Sequence, residues 1–199
     1  MNHLIIYAHP SIKSFSRQLK DALVVESNLR NWTSTIRDLY EMEFDPVLWP
    51  SDLEQLNNGK CSDAILEEQN LVQDADVISV IYPLWWAGFP AILKGYIDKV
   101  FAYGFAYKAG DKGIEGQLSN KRVYLYTSMG NSVEQYEEKG LLDAFKKIQG
   151  GEIFEFCGMQ VVNHSFFPQI PSASNEMIQL HINEALTVFE PLSRPLSEN

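Results

Sequence analysis

The feature that most constrains this chain is an alternation between two periodicities. Five short stretches read as strands: the apolar runs Leu4–Ala8 and Val77–Tyr82, the β-rich Thr33–Leu39, and Arg122–Ser128 and Met159–Val162. Between them the apolar residues return every three or four positions, as on one face of a helix. These helical stretches run from Phe15 to about Asn28, Ser62 to Gln73, Pro90 to Phe101, Val133 to Gln149 and Ala173 to Phe189. Ser14 is placed to cap the first, Pro90 to open the third as its first residue, and Gly150-Gly151 to end the fourth. Runs as apolar as Val77–Tyr82 are buried on both faces, which requires a parallel sheet covered by helices on each side. The expectation is a five-stranded, doubly wound α/β sheet.

The rest of the chain punctuates that pattern. Glu41–Lys60, with Pro46, Pro50, Asn57, Asn58 and Gly59, reads as a long loop. Lys108–Gly116, with Gly110, Gly113 and Gly116, reads as a mobile loop beside a pocket mouth. No repeat or linker divides residues 1–190, which read as one domain, and Pro191 and Pro195 leave a polar tail over 191–199.

Charge and composition exclude several functions. The chain has 26 Asp+Glu against 16 Lys+Arg, a net charge of −10, which disfavours nucleic acid or an anionic membrane as partner. A phosphate pocket made of backbone N–H groups is still allowed. Cys61 and Cys157 form no C-x-x-C, so neither a disulfide framework nor a cysteine metal site is expected, and Cys157 reads as a small buried apolar residue. His3, His164 and His181 lack ligand spacing, so no metal is expected. With no basic leader and no long apolar stretch, the expected location is cytoplasmic.

In a doubly wound sheet, ligands bind beyond the carboxyl ends of the strands. Three loops lie there. After the first strand comes His9-Pro10-Ser11-Ile12-Lys13-Ser14-Phe15-Ser16, hydroxyl-rich and leading into a helix, a natural anion site. The chain holds no G-x-G and no G-x-x-x-x-G-K, which disfavours a dinucleotide Rossmann site and a P-loop. After the third strand comes Pro83-Leu84-Trp85-Trp86-Ala87-Gly88-Phe89-Pro90. One tryptophan should pack inward there while its neighbour faces a ligand. After the fourth comes Thr127-Ser128-Met129-Gly130-Asn131, small enough for backbone to approach a ligand closely. Singly, the three read as a helix cap, a hydrophobic plug and a turn. Jointly they suit a flat ring that carries a phosphate.

The chain resembles the flavodoxin-like NAD(P)H:quinone oxidoreductases, which include the mammalian quinone reductases, the bacterial modulators of drug activity and the ancillary subunits of potassium efflux systems. The resemblance rests on Tyr7-Ala8-His9-Pro10, Ser14-Phe15-Ser16, Asp38-Leu39-Tyr40, Glu68-Gln69 and Ala75-Asp76. It is strongest over Pro83–Tyr107, including Pro90-Ala91-Ile92-Leu93-Lys94-Gly95, Asp98-Lys99-Val100-Phe101 and Gly104-Phe105-Ala106-Tyr107, and continues to Cys157-Gly158-Met159.

It implies a flavodoxin-like fold, a flavin (FMN, with FAD left open) and NADPH or NADH as hydride donor. By position, His9, Ser14, Phe15 and Ser16 match the flavin phosphate and ribityl loop, and Gln69 a side chain touching the cofactor. Pro83, Leu84, Trp85, Trp86 and Ala87 match the loop along the ring, and Thr127, Ser128, Met129 and Gly130 the turn at its pyrimidine edge. Phe105 and Tyr107 match aromatics over the substrate, and Tyr136 the active-site tyrosine. Met129 departs from the family's glycine, and Thr127–Gly150 lacks the histidine that mammalian members place beside their tyrosine. The implied activity is two-electron reduction of quinones or similar electrophiles by a ping-pong route, in a homodimer. Two other roles share these motifs: a flavin-containing regulatory subunit of a glutathione-gated potassium efflux system, partnered by a membrane transporter, and a flavodoxin-like electron carrier.

Overall fold

The computed structural model describes residues 1–111 and 113–189. In chain order its elements are β1 (Asn2–Tyr7), α1 (Phe15–Leu29), β2 (Thr33–Asp38), α2 (Pro50–Asn57), α3 (Asp63–Asp74), β3 (Val77–Pro83) and α4 (Ala91–Val100). Then follow β4 (Tyr107–Gly110), β5 (Gly113–Gly116), β6 (Arg122–Ser128), α5 (Val133–Glu137), α6 (Leu141–Phe145), a π-helix (Lys146–Glu155), β7 (Gln160–Phe167) and α7 (Asn175–Phe189). Five strands form one parallel sheet in the order β2-β1-β3-β6-β7. This is the flavodoxin-like doubly wound arrangement. Strand order reverses between β1 and β3, so the loops after them flank the crevice where ligands bind.

Alternation along each strand divides the interior in two. Leu4, Ile6, Ile78, Val80, Val123 and Leu125 face one way, into a core shared with α3, α4 and the π-helix. Ile5, Tyr7, Val77, Ile81, Tyr124 and Tyr126 face the other way, toward α1 and α7. Both faces of β3 and β6 are covered, so every residue of the two strands is buried.

Several expectations need correction. Within 41–60, Pro50–Asn57 is a helix: Pro50 begins it, the Asp52 carboxylate accepts from the Trp49 N–H at 2.9 Å, and Gly59 lies just past its end with φ +66°. The residues read as breakers are its boundaries. The stretch from Val133 is not one helix. Gly140, with φ +65°, separates α5 from α6, and the π-helix continues through Gly150-Gly151 to Glu155. Gly150 does not stop that helix; it lies buried within it, facing Val161 and Leu125. The last strand reaches Phe167, beyond Val162, because the polar Asn163, His164 and Ser165 hide its period. Pro90 precedes α4 rather than opening it. Lys108–Gly116 is mostly the antiparallel hairpin β4–β5, not a free loop. The expected tail over 191–199 lies outside the described residues. Among those described, no helix is long and apolar enough to cross a membrane.

The hairpin sits at the amino edge of the sheet. The Leu118 N–H donates to the Cys157 carbonyl at 2.8 Å, and Cys157 lies just before β7 begins. The ligand-side loops leave the opposite, carboxyl edge. Seven residues of β3 separate the two edges, about 20 Å at roughly 3.3 Å per residue.

Candidate functional site

The loop after β1 ends in a built cap. Ser14 Oγ accepts the Arg17 N–H at 3.1 Å, and His9 Nδ1 accepts the Ser11 N–H at 3.0 Å. Phe15 and Ser16 turn their side chains inward, Phe15 against Phe167 at 4.9 Å between ring centroids. What α1 presents outward is therefore the backbone. The N–H groups of its first turn have no acceptor within the helix. Burial pushes the His9 imidazole below its usual pKa, which favours its neutral form, and the aligned amides at the helix start supply attraction for an anion. That suits a chain with a net charge of −10.

The loop after β3 is a two-residue hairpin turn. The Trp85 N–H donates to the Gly88 carbonyl at 3.1 Å, and the Gly88 N–H returns the bond at 2.9 Å. Its central residues, Trp86 and Ala87, have φ of +50° and +60°. Such turns prefer Asn-Gly, because side chains in the left-handed region are strained. Neither tryptophan packs inward as expected: Trp85 is 42% exposed and Trp86 fully exposed. Leu84 and Phe89 fill the interior instead, Phe89 lying 4.7 Å from the Tyr82 ring. A strained turn that presents two indoles to solvent is the kind of local conflict found at binding sites. Replacing Ala87 by glycine should stabilise the chain by about 0.5–1 kcal/mol, because relief of left-handed strain outweighs added unfolded-state freedom. A shift of the urea midpoint to lower concentration would contradict this.

The loop after β6 is tied to the previous one. The Leu84 N–H donates to the Ser128 carbonyl at 2.8 Å, and the Trp85 ring lies 6.1 Å from that of His9, so all three loops meet. Thr127 and Ser128 lie within the sheet ladder. The Met129 N–H donates to the Phe167 carbonyl at 2.8 Å, its carbonyl accepts from Ile170, and its side chain packs with Leu84, Leu142 and Phe145. Met129 thus leaves the surface clear, and the open backbone narrows to Gly130, where an added Cβ would meet nothing within 4 Å. Tyr136 on α5 packs on the same small core, its ring 5.9 Å from Phe145, which places it beside the junction of the second and third loops.

Three residues lie elsewhere. Gln69 is buried on α3, where its Nε2 donates to the Val100 carbonyl at 3.1 Å and braces α3 against the end of α4. Phe105 and Tyr107 belong to the amino edge, Tyr107 packing on Phe156 at 5.2 Å and on Tyr103 at 5.7 Å. Within one chain they do not face Trp86. A groove of about 680 Å³ lies beside them, lined by Leu53, Ile97, Phe101, Tyr103 and Phe156 among others. Sequence reasoning missed His164, whose Nε2 lies 2.9 Å from the hydroxyl of the buried Thr127. A lone histidine in a strand of mixed polarity carries no spacing signal. Cys157 is core, as expected, and burial pushes its thiol up to about 11.

The rim fits a flat, phosphate-bearing ring. At the start of α1 the helix geometry leaves the Phe15 and Ser16 amides without a helical acceptor, two indoles stand exposed nearby, and the backbone at Gly130 is open. A family model described as flavodoxin-like fold matches residues 1–188. An uncharacterized NAD(P)H oxidoreductase of Haemophilus influenzae is 39% identical over 185 residues, covering 90% of this chain and 92% of the relative. The ribosyldihydronicotinamide dehydrogenase (quinone) of Rattus norvegicus is 32% identical, covering 89% of this chain and 86% of its own length. The solved NAD(P)H:quinone oxidoreductase from Methanothermobacter marburgensis superposes with a TM-score of 0.87 at 26% identity, covering 97% of this chain and 99% of the other.

Proposed function

Because the chain belongs to the flavodoxin-like family, we propose that it is a flavin-dependent NAD(P)H oxidoreductase that passes two electrons as hydride to quinones or related electrophiles. The observation that carries this is the meeting of the three rim loops, joined by the Leu84–Ser128 hydrogen bond and the His9–Trp85 contact. A flavin held at this rim would supply the hydride chemistry between NADPH or NADH and the acceptor.

The chain's own residues bind, orient and shield. The first-turn amides of α1 hold the phosphate. Gly130 lets backbone approach the electron-rich edge of the ring, where fixed dipoles stabilise negative charge best. Leu84, Trp85, Trp86 and Ala87 wall one side and exclude water. The Tyr136 hydroxyl donates a hydrogen bond at the substrate side. Donor and acceptor use the same face in turn, so steady-state kinetics are ping-pong.

The acceptor pocket is completed by a second copy of this chain. Phe105 and Tyr107 lie at the edge remote from their own rim, beside a groove lined by the exposed Leu53, Tyr103 and Phe156. A contiguous apolar patch of this kind supports a partner interface. Docking there would carry one chain's aromatics over the other's ring.

The test is spectroscopic. Purified protein, or protein incubated with FMN or FAD, should absorb near 450 nm as bound flavin does, bleach with NAD(P)H and recover with a quinone. Parallel lines in double-reciprocal plots are the expected pattern. Protein that stays colourless with both nucleotides overturns the assignment.

A further inference from the structure

On the face of the sheet toward α4 and the π-helix, the side chains become polar at the carboxyl end. Ile78 and Val80 on β3, and Val123 and Leu125 on β6, are core residues. The next positions on that face are Tyr82 and Thr127, to which β7 adds His164 and the π-helix adds Gln149. All four are buried. The Tyr82 hydroxyl donates to Gln149 Oε1 at 2.7 Å, and His164 Nε2 lies 3.2 Å from the Tyr82 oxygen and 2.9 Å from Thr127 Oγ1. Four buried polar groups cost stability unless they satisfy one another, and apolar residues would fill this space as well.

Donor accounting fixes the tautomer. Tyr82 has one hydroxyl proton and gives it to Gln149, so toward His164 it can only accept. A hydrogen on Nε2 serves both oxygens and leaves Nδ1, which has no partner among the described residues, as a bare lone pair. The other tautomer would bury an N–H without an acceptor, the costlier outcome. On its other side the imidazole stacks on Phe166, with centroids 4.1 Å apart at 27°. Phe166 packs in turn on Phe145, the ring that supports Tyr136.

We infer that His164 is a positioning residue for the rim site: through Thr127 it fixes the end of β6 from which the Ser128–Gly130 turn departs, and through Phe166 it sets the platform beneath Tyr136. Tyr82 and Gln149 hold the imidazole in place, so the π-helix is coupled to the ligand face without touching a ligand. The inference rests on the flavin reading of that rim.

The experiment compares His164→Leu, His164→Gln and Tyr82→Phe with the wild type. His164→Leu should fold, yet in flavin-free protein the amides of Leu84 and Met129 should exchange with solvent faster. Flavin Kd should rise about tenfold, the loss of roughly one hydrogen bond's worth of ordering, and kcat should fall more than KM changes. His164→Gln keeps a donor at similar reach and should recover most of each effect. Tyr82→Phe should shift the same readouts in the same direction by less. If His164→Leu lowers stability but leaves amide exchange and Kd at wild-type values, the residue is only structural and the inference falls. If wild-type protein binds no flavin, the function assigned to the rim falls, while the exchange data still decide whether His164 orders the turn.

Discussion

Replacing Gly116 by alanine should cut acceptor reduction by about 10²-fold while leaving flavin affinity near wild type, since a displacement of roughly 1 Å at a reacting site costs that much. Gly116 ends β5 directly against Cys157 and Gly158. A Cβ there would lie 2.6 Å from the Cys157 carbonyl oxygen and overlap the Cys157 carbon and the Gly158 nitrogen. Those neighbours are backbone at the start of β7 and have little freedom to give way. The hairpin must lift, moving Tyr107 and its contacts with Phe156 and Tyr103, at a stability cost of about 1–3 kcal/mol. The flavin rim, at the other edge of the sheet, keeps its loops. Stopped-flow kinetics separate the two half-reactions: bleaching by NAD(P)H should stay closer to wild type than reoxidation by quinone. Unchanged reoxidation, with hairpin amides exchanging faster, would remove the hairpin from the acceptor pocket.

Acid should destabilise this protein strongly between pH 6.5 and 4.5, through two buried histidines. His3 lies between two hydroxyls, Nδ1 2.7 Å from Ser27 Oγ and Nε2 2.8 Å from Ser79 Oγ, and burial pushes its pKa down to about 3. His164 is also pushed down to about 3, first by burial and then by the charge of Lys146. Unfolded, each titrates near 6.5. Between those values the unfolded chain binds more protons than the native one, so stability rises with pH and is lost on acidification. At pH 4.5 the loss is about 2–3 kcal/mol for each histidine, about 5 kcal/mol together, a large share of the 5–15 kcal/mol of an ordinary domain. Urea unfolding at pH 7 and 4.5 measures it, and His3→Gln should remove about half of the pH dependence. Equal stability at the two pH values would contradict the burial of both imidazoles.

Much of the fold was legible because local chemistry and global packing agree. Val77–Tyr82 is apolar on both faces of the pleat but for Ser79 because helices cover both faces, and no amphipathic strand reads that way. Ser14 marked the start of α1 because a hydroxyl can satisfy an orphan first-turn amide. Where reading failed, one residue type had two uses. Pro50 and Gly59 bracket a helix as readily as they fill a loop, and Gly150-Gly151 lies inside a helix where a glycine pair usually stops one.

The sequence by itself determined a doubly wound sheet and named three loops at its carboxyl rim, because hydrophobic period and loop chemistry are local properties. Only the tertiary structure decided which groups stay available. It turned Phe15, Ser16 and Met129 inward, left both tryptophans outside, and set Gln69 to brace two helices. It also carried Tyr107 to the far edge and brought His164 beneath Thr127. Those outcomes depend on which strands become neighbours and which edge a hairpin meets. That is settled by contacts between residues far apart in the chain, which no local pattern encodes.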